Sequence, residues 1–239
     1  MANTFFKFKK FTVHQDKSAM KVCTDACLFG AIISSSNTNY KNALDIGTGT
    51  GLLSLMFAQN NLKCNIDAVE VNEDACKQAI ANIYESSFKK NIEVYFSDIR
   101  TYQKNDHSKY EIIFSNPPFY PNDLKSVEND RNIAMHSSLL SYQELFKVVN
   151  NLLADDGIFY ILIPYSLEQK VIQYANQVNL FSKERISVRQ AYSHSYFRTI
   201  ICFSKIKKEC KISEISIKDD LNNYTPEFKN LLKDYYLNL

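Results

Sequence analysis

Residues 42–58 read NALDIGTGTGLLSLMFA, and they determine the class of fold that the chain adopts. An apolar run is followed by three glycines that alternate with threonines, and a second apolar run comes next. This order predicts a β-strand, a glycine loop and a helix. Glycine lets the backbone turn tightly and approach a ligand, and the first turn of a helix has unpaired N–H groups. We therefore expect a nucleotide-like cofactor to contact the strand end and the loop, at Asp45, Gly47, Thr48, Gly49 and Gly51.

Glu70 indicates which cofactor the loop binds. It lies nineteen residues after Gly51, at the end of the run IDAV at residues 66–69. A carboxylate in that place can accept hydrogen bonds from both hydroxyls of a ribose. The loop pattern is Asp-x-Gly-x-Gly-x-Gly and differs from the Gly-x-Gly-x-x-Gly of dinucleotide-binding enzymes. It therefore favours S-adenosylmethionine, which has no pyrophosphate to bind, over NAD.

A second chemical signal is NPPF, residues 116–119, which follows the apolar run YEIIFS at residues 110–115. The side-chain carbonyl of Asn116 and the backbone carbonyl of Pro117 are acceptors, so together they can bind the two hydrogens of an exocyclic NH2 group. Phe119 can stack on the ring that carries the amine, and the two prolines make the backbone rigid. We therefore predict that Asn116, Pro117 and Phe119 are catalytic. The alternative is an ordinary turn at a strand end, because Asn-Pro pairs are common in turns.

Short β-rich runs alternate with helical patterns along the chain. This predicts an α/β fold with a seven-stranded, mostly parallel sheet and helices on both faces. Asn72 can cap a helix that runs to about Ser86, and Ser141 with Glu144 forms a capping box ahead of another helix. The predicted strands are residues 42–46, 65–70, 92–97, 110–115, 157–163, 180–188 and 197–203.

Four candidate site residues lie at the carboxyl ends of predicted strands, namely Gly47, Glu70, Asp98 and Asn116. Ligands of open parallel sheets bind beyond the carboxyl ends of the strands, so these residues are expected at one edge. The Asp98 carboxylate is predicted to accept a hydrogen bond from the adenine amine of the cofactor, and Ile99 and Asn116 are assigned to the same cofactor site. A plain helix-capping role is the alternative for Asp98.

The chain before the first core strand ends in a predicted helix that begins near Thr24. This N-terminal lead, residues 1–40, is either a lid over the cofactor, with Lys21 and Thr24 as polar contacts, or a simple structural cap. Residues 41–206 are the expected core, and residues 207–239 a C-terminal extension of the same domain.

Composition limits the remaining classes. The chain has 239 residues, of which 45% are hydrophobic and 23% charged, and this is typical of one globular domain. No stretch approaches the roughly 18 apolar residues that span a bilayer, and the N-terminus lacks the features of a signal peptide, so we expect a cytoplasmic protein. The six cysteines lack the spacing of a zinc site, and no metal is expected.

Charge alone does not identify a partner. The net charge of +2 is compatible with nucleic acid but does not require it. Residues 5–11, FFKFKKF, interleave lysines that attract phosphates with rings that can stack on unpaired bases. The alternative is a solvated face whose rings point inward.

The glycine loop, the acidic end of the second strand and NPPF together resemble the Rossmann-like class I S-adenosylmethionine-dependent methyltransferases. Both ends of the chain are similar to one family within that class, the bacterial tRNA1(Val) adenine N6-methyltransferases. The core motifs are shared by many methyltransferases, whereas the end segments point to this family. These segments are FTVHQ at 11–15, AMKV at 19–22, Thr24-Asp25, EISI at 214–217, YTPEF at 224–228 and LLKDYYL at 231–237.

The resemblance implies methylation of the N6 amine of the adenine immediately 3′ of the anticodon, at position 37 of the tRNA. The partner would be the anticodon loop of tRNA, and a monomer is favoured. Met135 stands where the family pattern leads us to expect an Arg, and Arg131 lies four residues before it. The substrate-binding residues that the resemblance implies are Pro118, Tyr120, Arg131, His136 and Arg198.

Other functions remain open from the residues alone. One alternative is methylation of a guanine N2 amine of ribosomal RNA or of a glutamine amide in a protein release factor, although Phe119 favours a base as the stacking partner. A noncatalytic RNA-binding module that keeps the fold is another, and the intact Asn116, Glu70 and glycine loop argue against it. A nicotinamide-dependent oxidoreductase is the third, and it would bind a different cofactor.

Overall fold

Helices and strands alternate along the chain in the computed structural model, which describes residues 3–17, 21–35, 39–103, 108–118 and 140–239. The predicted alternation and all seven predicted strands are confirmed. In chain order the elements are β1 (Phe5–Lys7), β2 (Thr12–His14), α1 (Thr24–Ser34), β3 (Asn42–Ile46), α2 (Leu52–Asn60), β4 (Asn65–Glu70), α3 (Glu73–Glu85), β5 (Ile92–Phe96), β6 (Tyr110–Ser115), α4 (Tyr142–Leu152), β7 (Leu153–Pro164), α5 (Glu168–Gln177), β8 (Phe181–Arg189), β9 (Tyr196–Ser204), β10 (Lys211–Ser216) and α6 (Pro226–Leu232).

The central sheet has the strand order β10-β8-β9-β7-β6-β3-β4-β5. Strands β3 to β7 pair in parallel, whereas β9 runs antiparallel to both of its neighbours, β7 and β8. From β3 the chain adds β4 and β5 on one side, and it then crosses to add β6 and β7 on the other side. The order therefore reverses between β3 and β6, which is the place where open α/β sheets bind their ligands.

The prediction of seven strands is wrong by one, because β10 extends the sheet as an eighth strand parallel to β8. Its sequence, KISEIS, buries only Ile215 and Ser216, whereas Ile212 is exposed. A short edge strand of this kind has almost no hydrophobic pattern and forms because it satisfies the free edge of β8. The hairpin of β1 and β2 lies outside this sheet and also was not predicted.

Two hydrophobic cores cover the two faces of the sheet. One face packs against α1, α2, the β1–β2 hairpin and α6, around rings such as Phe29 and Phe57. The other face packs against α4 and α5, where Phe146, Phe159 and Phe203 contact one another. Aromatic rings in contact stabilise a core by more than the burial of their apolar surface alone. The predicted helices on both faces are confirmed.

The helix starts agree with the predicted caps. The Asn72 side chain accepts a hydrogen bond from the Ala75 N–H at 2.9 Å, and Ser141 with Glu144 forms the reciprocal capping box. Helix α1 begins at Thr24, as expected. Within the described ranges, no helix is long and apolar enough to cross a membrane.

Candidate active site

The site lies at the carboxyl edge of the sheet, where β3, β4, β5 and β6 end at Ile46, Glu70, Phe96 and Ser115. Because these strands are parallel, the residues that follow them share this edge. The Ser115 hydroxyl donates to the Ile46 carbonyl at 2.9 Å and ties the ends of β6 and β3 together. The glycine loop and the NPPF segment therefore begin side by side at the point where the strand order reverses.

The glycine loop has the left-handed backbone that its three glycines allow. Gly47, Gly49 and Gly51 have φ values of 71°, 57° and 82°. A Cβ on Gly51 would lie 3.3 Å from Ile83 Cδ1, so this glycine lets α2 pack against α3. A Cβ on Gly47 or Gly49 would meet nothing within 4 Å. These two positions therefore face open space on the side where a ligand can approach the backbone.

The Asp45 side chain is hydrogen-bonded to the glycine loop and to α2. Its Oδ2 accepts hydrogen bonds from the hydroxyls of Thr48 and Ser54, each at 2.7 Å. Its Oδ1 is buried and has no hydrogen-bond partner among the described residues. Burial raises the pKa of this carboxyl to about 6, against an ordinary value of 3.8, although the two hydroxyls lower it in part. A buried carboxylate with an unused oxygen is well suited to a cationic ligand group.

The Glu70 side chain contacts the glycine loop and the start of α3. Its Oε2 accepts from the Gly49 N–H and its Oε1 from the Asn72 N–H, both at 2.9 Å. The side chain is thereby fixed between the glycine loop and the start of α3. Each carboxylate oxygen has a second lone pair, so the two ribose hydroxyls of a nucleoside can still be accepted.

Asn116 follows β6 directly and begins the NPPF segment. Its Oδ1 is buried and lacks a donor among the described residues, as Asp45 Oδ1 does. Two unpaired acceptors therefore lie near the ends of the two central strands. The predicted site residues Phe119, Tyr120, Arg131 and His136, together with Met135, lie outside the described residues.

Asp98 is held by a residue that was not singled out in the sequence. The Arg100 guanidinium donates from Nε to Asp98 Oδ1 at 3.0 Å and from Nη2 to Asp98 Oδ2 at 2.5 Å, and these hydrogen bonds keep the pKa of Asp98 below its ordinary value. Arg100 also contacts Glu144 at 3.4 Å. Ile99 is buried beside them. Asp98 is thus a charged, oriented acceptor at the end of β5.

The N-terminal lead is joined to the glycine loop by Asn82, which was also not predicted. This buried side chain accepts from the His14 N–H at 2.9 Å and donates to the carbonyls of His14 and Thr50 at 2.8 and 2.9 Å. Lys21 is exposed, and Thr24 is half-buried at the start of α1. The connection between Asn82 and the loop depends on the folded chain and has no signal in the local sequence.

Arg198 lies at the start of β9 and is tied to α1. Its Nε donates to the buried Asp25 carboxylate at 2.8 Å, and its guanidinium lies 5.3 Å from the Phe197 ring centroid. Arg198 therefore forms an ion pair within the folded chain, and this contact by itself accounts for an arginine at that position. Sequence reasoning could not identify Asp25 as the partner, because 173 residues separate the two.

The residues of this edge fit S-adenosylmethionine. The unpaired Asp45 oxygen suits the cationic amino group of its methionine part, the open backbone at Gly47 and Gly49 accommodates a close ligand, and Glu70 suits its ribose. Within the described part of the chain, no group of three or more His, Cys, Asp or Glu side chains is arranged to hold a metal ion.

Fold and site define the class of protein, a class I methyltransferase. The fold is similar to that of a predicted O-methyltransferase from Agrobacterium tumefaciens, with a TM-score of 0.67 and 13% identity over 89% of this chain and 99% of that one. It is also similar to a class I S-adenosylmethionine-dependent methyltransferase from Listeria monocytogenes, with a TM-score of 0.60 and 15% identity over 84% of this chain and 67% of that one. At these identities the likeness concerns the fold alone.

Sequence similarity identifies the family. Residues 28–185 match the model of the Methyltransferase small domain. The chain is 39% identical to the tRNA1(Val) (adenine(37)-N6)-methyltransferases of Cytophaga hutchinsonii, over 241 residues, and of Bacteroides thetaiotaomicron, over 240 residues. Both matches cover 100% of each chain. The chain belongs to the tRNA1(Val) (adenine(37)-N6)-methyltransferase family, and the predicted fold class, family and cofactor are confirmed.

Proposed function

We propose that this chain transfers a methyl group from S-adenosylmethionine to the N6 amine of adenine 37 in tRNA1(Val), immediately 3′ of the anticodon. The activity is the one in the names of relatives that match the chain over its full length. A tRNA substrate is consistent with a cytoplasmic enzyme, and we expect a monomer.

The observation that carries this proposal is the buried Asn116 Oδ1 after β6, which has no donor among the residues that the structure describes. A buried acceptor without a donor costs about 1–3 kcal/mol, so its position needs an explanation. An exocyclic amine has two N–H donors and no strong acceptor of its own, which makes it the matching ligand group. Asn116 is therefore assigned as the acceptor that holds the substrate amine.

Asn116 and Pro117 activate the amine by accepting its two hydrogens. The lone pair of the adenine N6 is delocalised into the ring, and hydrogen bonds to these two carbonyls draw the nitrogen toward a tetrahedral geometry. The lone pair then points at the reacting methyl group, which S-adenosylmethionine supplies in electrophilic form on its sulfonium. Positioning and the carbonyl dipoles, which stabilise the developing positive charge, account for the rate increase. No general base is required, because the methylated amine loses its extra proton readily.

The cofactor site combines residues of the N-terminal lead with residues at the carboxyl edge of the sheet. The cofactor contacts Lys21, Thr24, Asp45, Gly47, Thr48, Gly49, Gly51, Glu70, Asp98, Ile99 and Asn116. The target base leaves the anticodon-loop stack at a cost of a few kcal/mol. It then stacks on Phe119, with further substrate contacts from Pro118, Tyr120, Arg131, His136 and Arg198. The N-terminal lead brings Lys21 and Thr24 to this site, either as a lid over the cofactor or as a fixed structural cap.

Transfer of labelled methyl from S-adenosylmethionine to total cellular RNA tests this function, with the modified nucleosides identified by mass spectrometry. We expect N6-methyladenosine in tRNA with the wild type and a loss of at least about 100-fold with Asn116→Ala, because both amine activation and positioning are removed. Asn151→Ala is the matched control, since Asn151 is exposed near the end of α4, at the opposite edge of the sheet.

Each other result assigns a different substrate or role. Label in N2-methylguanosine would move the activity to a guanine amine. Label in protein and none in RNA would favour a glutamine amide. RNA binding without any methyl transfer by the wild type would contradict the enzyme assignment.

A further inference from the structure

Three tyrosines and an arginine cluster on the half of the carboxyl edge that the cofactor loop does not use. This tyrosine–arginine patch consists of Tyr165, Arg189, Tyr192 and Tyr196. The Arg189 guanidinium lies 5.5 Å from the ring centroids of both Tyr192 and Tyr196, and the rings of Tyr165 and Tyr196 are 5.2 Å apart. Tyr165 and Tyr192 remain 39% and 50% exposed. The patch therefore presents aromatic faces that the described residues leave accessible.

Strand order places this patch beside the proposed amine site. Tyr165 directly follows β7, which pairs with β6, and Tyr196 begins β9, which pairs with β7 on its other side. Arg189 ends β8, the next strand. Adjacent strands are about 4.8 Å apart, so β9 lies about 10 Å along the edge from β6, the strand that ends in front of Asn116. About three stacked nucleotides, at roughly 3.4 Å each, span this distance, so bases that flank the target can reach the patch.

The charge of Arg189 is already neutralised by an acidic neighbour. Arg189 donates from Nη2 to Glu214 Oε1 at 2.6 Å and from Nε to the Ser216 hydroxyl at 2.7 Å. The Tyr196 hydroxyl donates to the other Glu214 oxygen. These contacts fix the arginine and one ring, and they leave no excess positive charge to attract a phosphate. The patch suits the faces of bases rather than the RNA backbone.

The lysine-rich segment near the N-terminus offers one exposed ring, that of Phe5, which is 44% exposed but lies on the β1–β2 hairpin outside the central sheet. Phe8 and Phe11 are buried there against each other, 4.6 Å apart, so the inward-facing alternative describes these two residues. Stacking on unpaired bases requires exposed rings, and the patch provides two of them on the described carboxyl edge, one directly after β7 and one in the turn between β8 and β9.

We propose that the tyrosine–arginine patch stacks the unpaired anticodon-loop bases that flank the target adenine, with Tyr165 and Tyr192 as the contacting rings. This inference rests on the proposed tRNA substrate. Arg189 acts as a positioning residue that holds Tyr192 and Tyr196 in place. A flipped adenine leaves its neighbours without a stacking partner, and the two tyrosines replace that partner while Asn116 holds the amine.

Binding and turnover of an anticodon stem-loop RNA test the patch. Affinity is measured by fluorescence anisotropy and KM and kcat by methyl transfer, for Tyr165→Ala, Tyr192→Ala and the conservative Tyr165→Phe and Tyr192→Phe variants. We expect each alanine variant to raise Kd and KM about tenfold, with kcat at saturating RNA within about twofold of wild type and the phenylalanine variants close to wild type. The slope of log Kd against log salt should not change, because no phosphate contact is removed.

Tyr84→Ala is the matched control, because Tyr84 is 69% exposed and lies near the end of α3, away from the carboxyl edge. If the patch variants bind RNA as tightly as Tyr84→Ala, the inference is wrong. Unchanged RNA affinity combined with a shift of oligomeric state would assign the patch to a second copy of the chain instead. If the wild type methylates no adenine, the proposed function fails independently, and the affinity comparison still decides whether the patch binds RNA.

Discussion

At the scale of single residues, the site is marked by polar atoms that the folded chain buries without using. Asp45 Oδ1 and Asn116 Oδ1 are both buried acceptors without a partner among the described residues. Such atoms lower stability, and they are retained where a ligand supplies the missing group. Stability and ligand binding therefore impose opposite demands on these two positions.

Asp45→Asn should stabilise the ligand-free protein and weaken cofactor binding. Folding raises the pKa of Asp45 from 3.8 to about 6, so the folded state binds this proton more tightly than the unfolded state does. The contribution of Asp45 to the free energy of unfolding is therefore fully present below about pH 4 and is lost as the pH rises through about 6. The loss amounts to at most about 3 kcal/mol. Asparagine removes the charge and keeps an acceptor for the Thr48 and Ser54 hydroxyls.

Thermal unfolding of wild type and Asp45→Asn between pH 5 and pH 8 measures this difference. We expect the variant to be more stable at pH 8 and its advantage to shrink toward pH 5, because comparison with the wild type cancels the other titrating groups. Titration calorimetry with S-adenosylmethionine should give a higher Kd for the variant than for the wild type at pH 8. A stability difference that does not vary with pH would contradict the assigned titration.

At the scale of elements, one side chain couples the N-terminal hairpin to the glycine loop. Asn82 on α3 bonds to both backbone groups of His14 and to the Thr50 carbonyl. The β1–β2 hairpin has strands of only three residues, and so short a hairpin is not stable by itself. Asn82 therefore joins an otherwise weak element to the site.

Asn82→Ala should lower both stability and cofactor affinity. Three hydrogen bonds are lost and the partner groups are left partly buried, so we expect about 2–4 kcal/mol of destabilisation in urea unfolding. Cofactor affinity should fall as well, because the Thr50 carbonyl no longer has its donor. Asn91→Ala is the control, since its side chain makes one exposed hydrogen bond to the Leu62 carbonyl. Equal effects of the two substitutions would show that the hairpin connection does not matter.

The elements also show what the sequence could predict. Strands with a continuous apolar run, such as β3 and β6, and helices with a local cap, such as α3 and α4, carry their signal in neighbouring residues. Strand β10 does not, because it depends on the free edge of β8. The predicted site residues at strand ends share one edge because of the parallel topology. Asn82 and Asp25 act through partners that only folding brings near, and local patterns cannot identify such pairs.

At the scale of the whole molecule, both ends of the chain contribute to one hydrophobic core. Phe8 of the N-terminal lead and Phe228 and Tyr236 of the C-terminal extension belong to the same cluster as α1 and α2. The Lys9 N–H also donates to the Tyr235 carbonyl at 2.8 Å. The similarity of both end segments to the family thus coincides with a shared structural role.

Phe228→Ala should destabilise the entire protein in a single step. The ring is fully buried, and loss of such a side chain costs about 3–5 kcal/mol. Since lead, core and extension share packing, calorimetry should show one unfolding transition that is shifted to lower temperature. Leu221→Ala, at a residue that is 83% exposed, should change stability by less than about 0.5 kcal/mol. A separate early transition in Phe228→Ala would mean that the extension folds as an independent unit.

Strand β9 has a consequence for how enzymes of this architecture diverge. Because it runs against both neighbours, the turn that connects it to β8 arrives at the carboxyl edge, close to the end of β6 and on the far side of it from the glycine loop. Residues 190–195 can thus be lengthened or replaced without moving β3 or β4, the strands that precede the glycine loop and end in Glu70. Recognition of new RNAs can evolve on one half of the edge while the methyl-donor half is inherited intact.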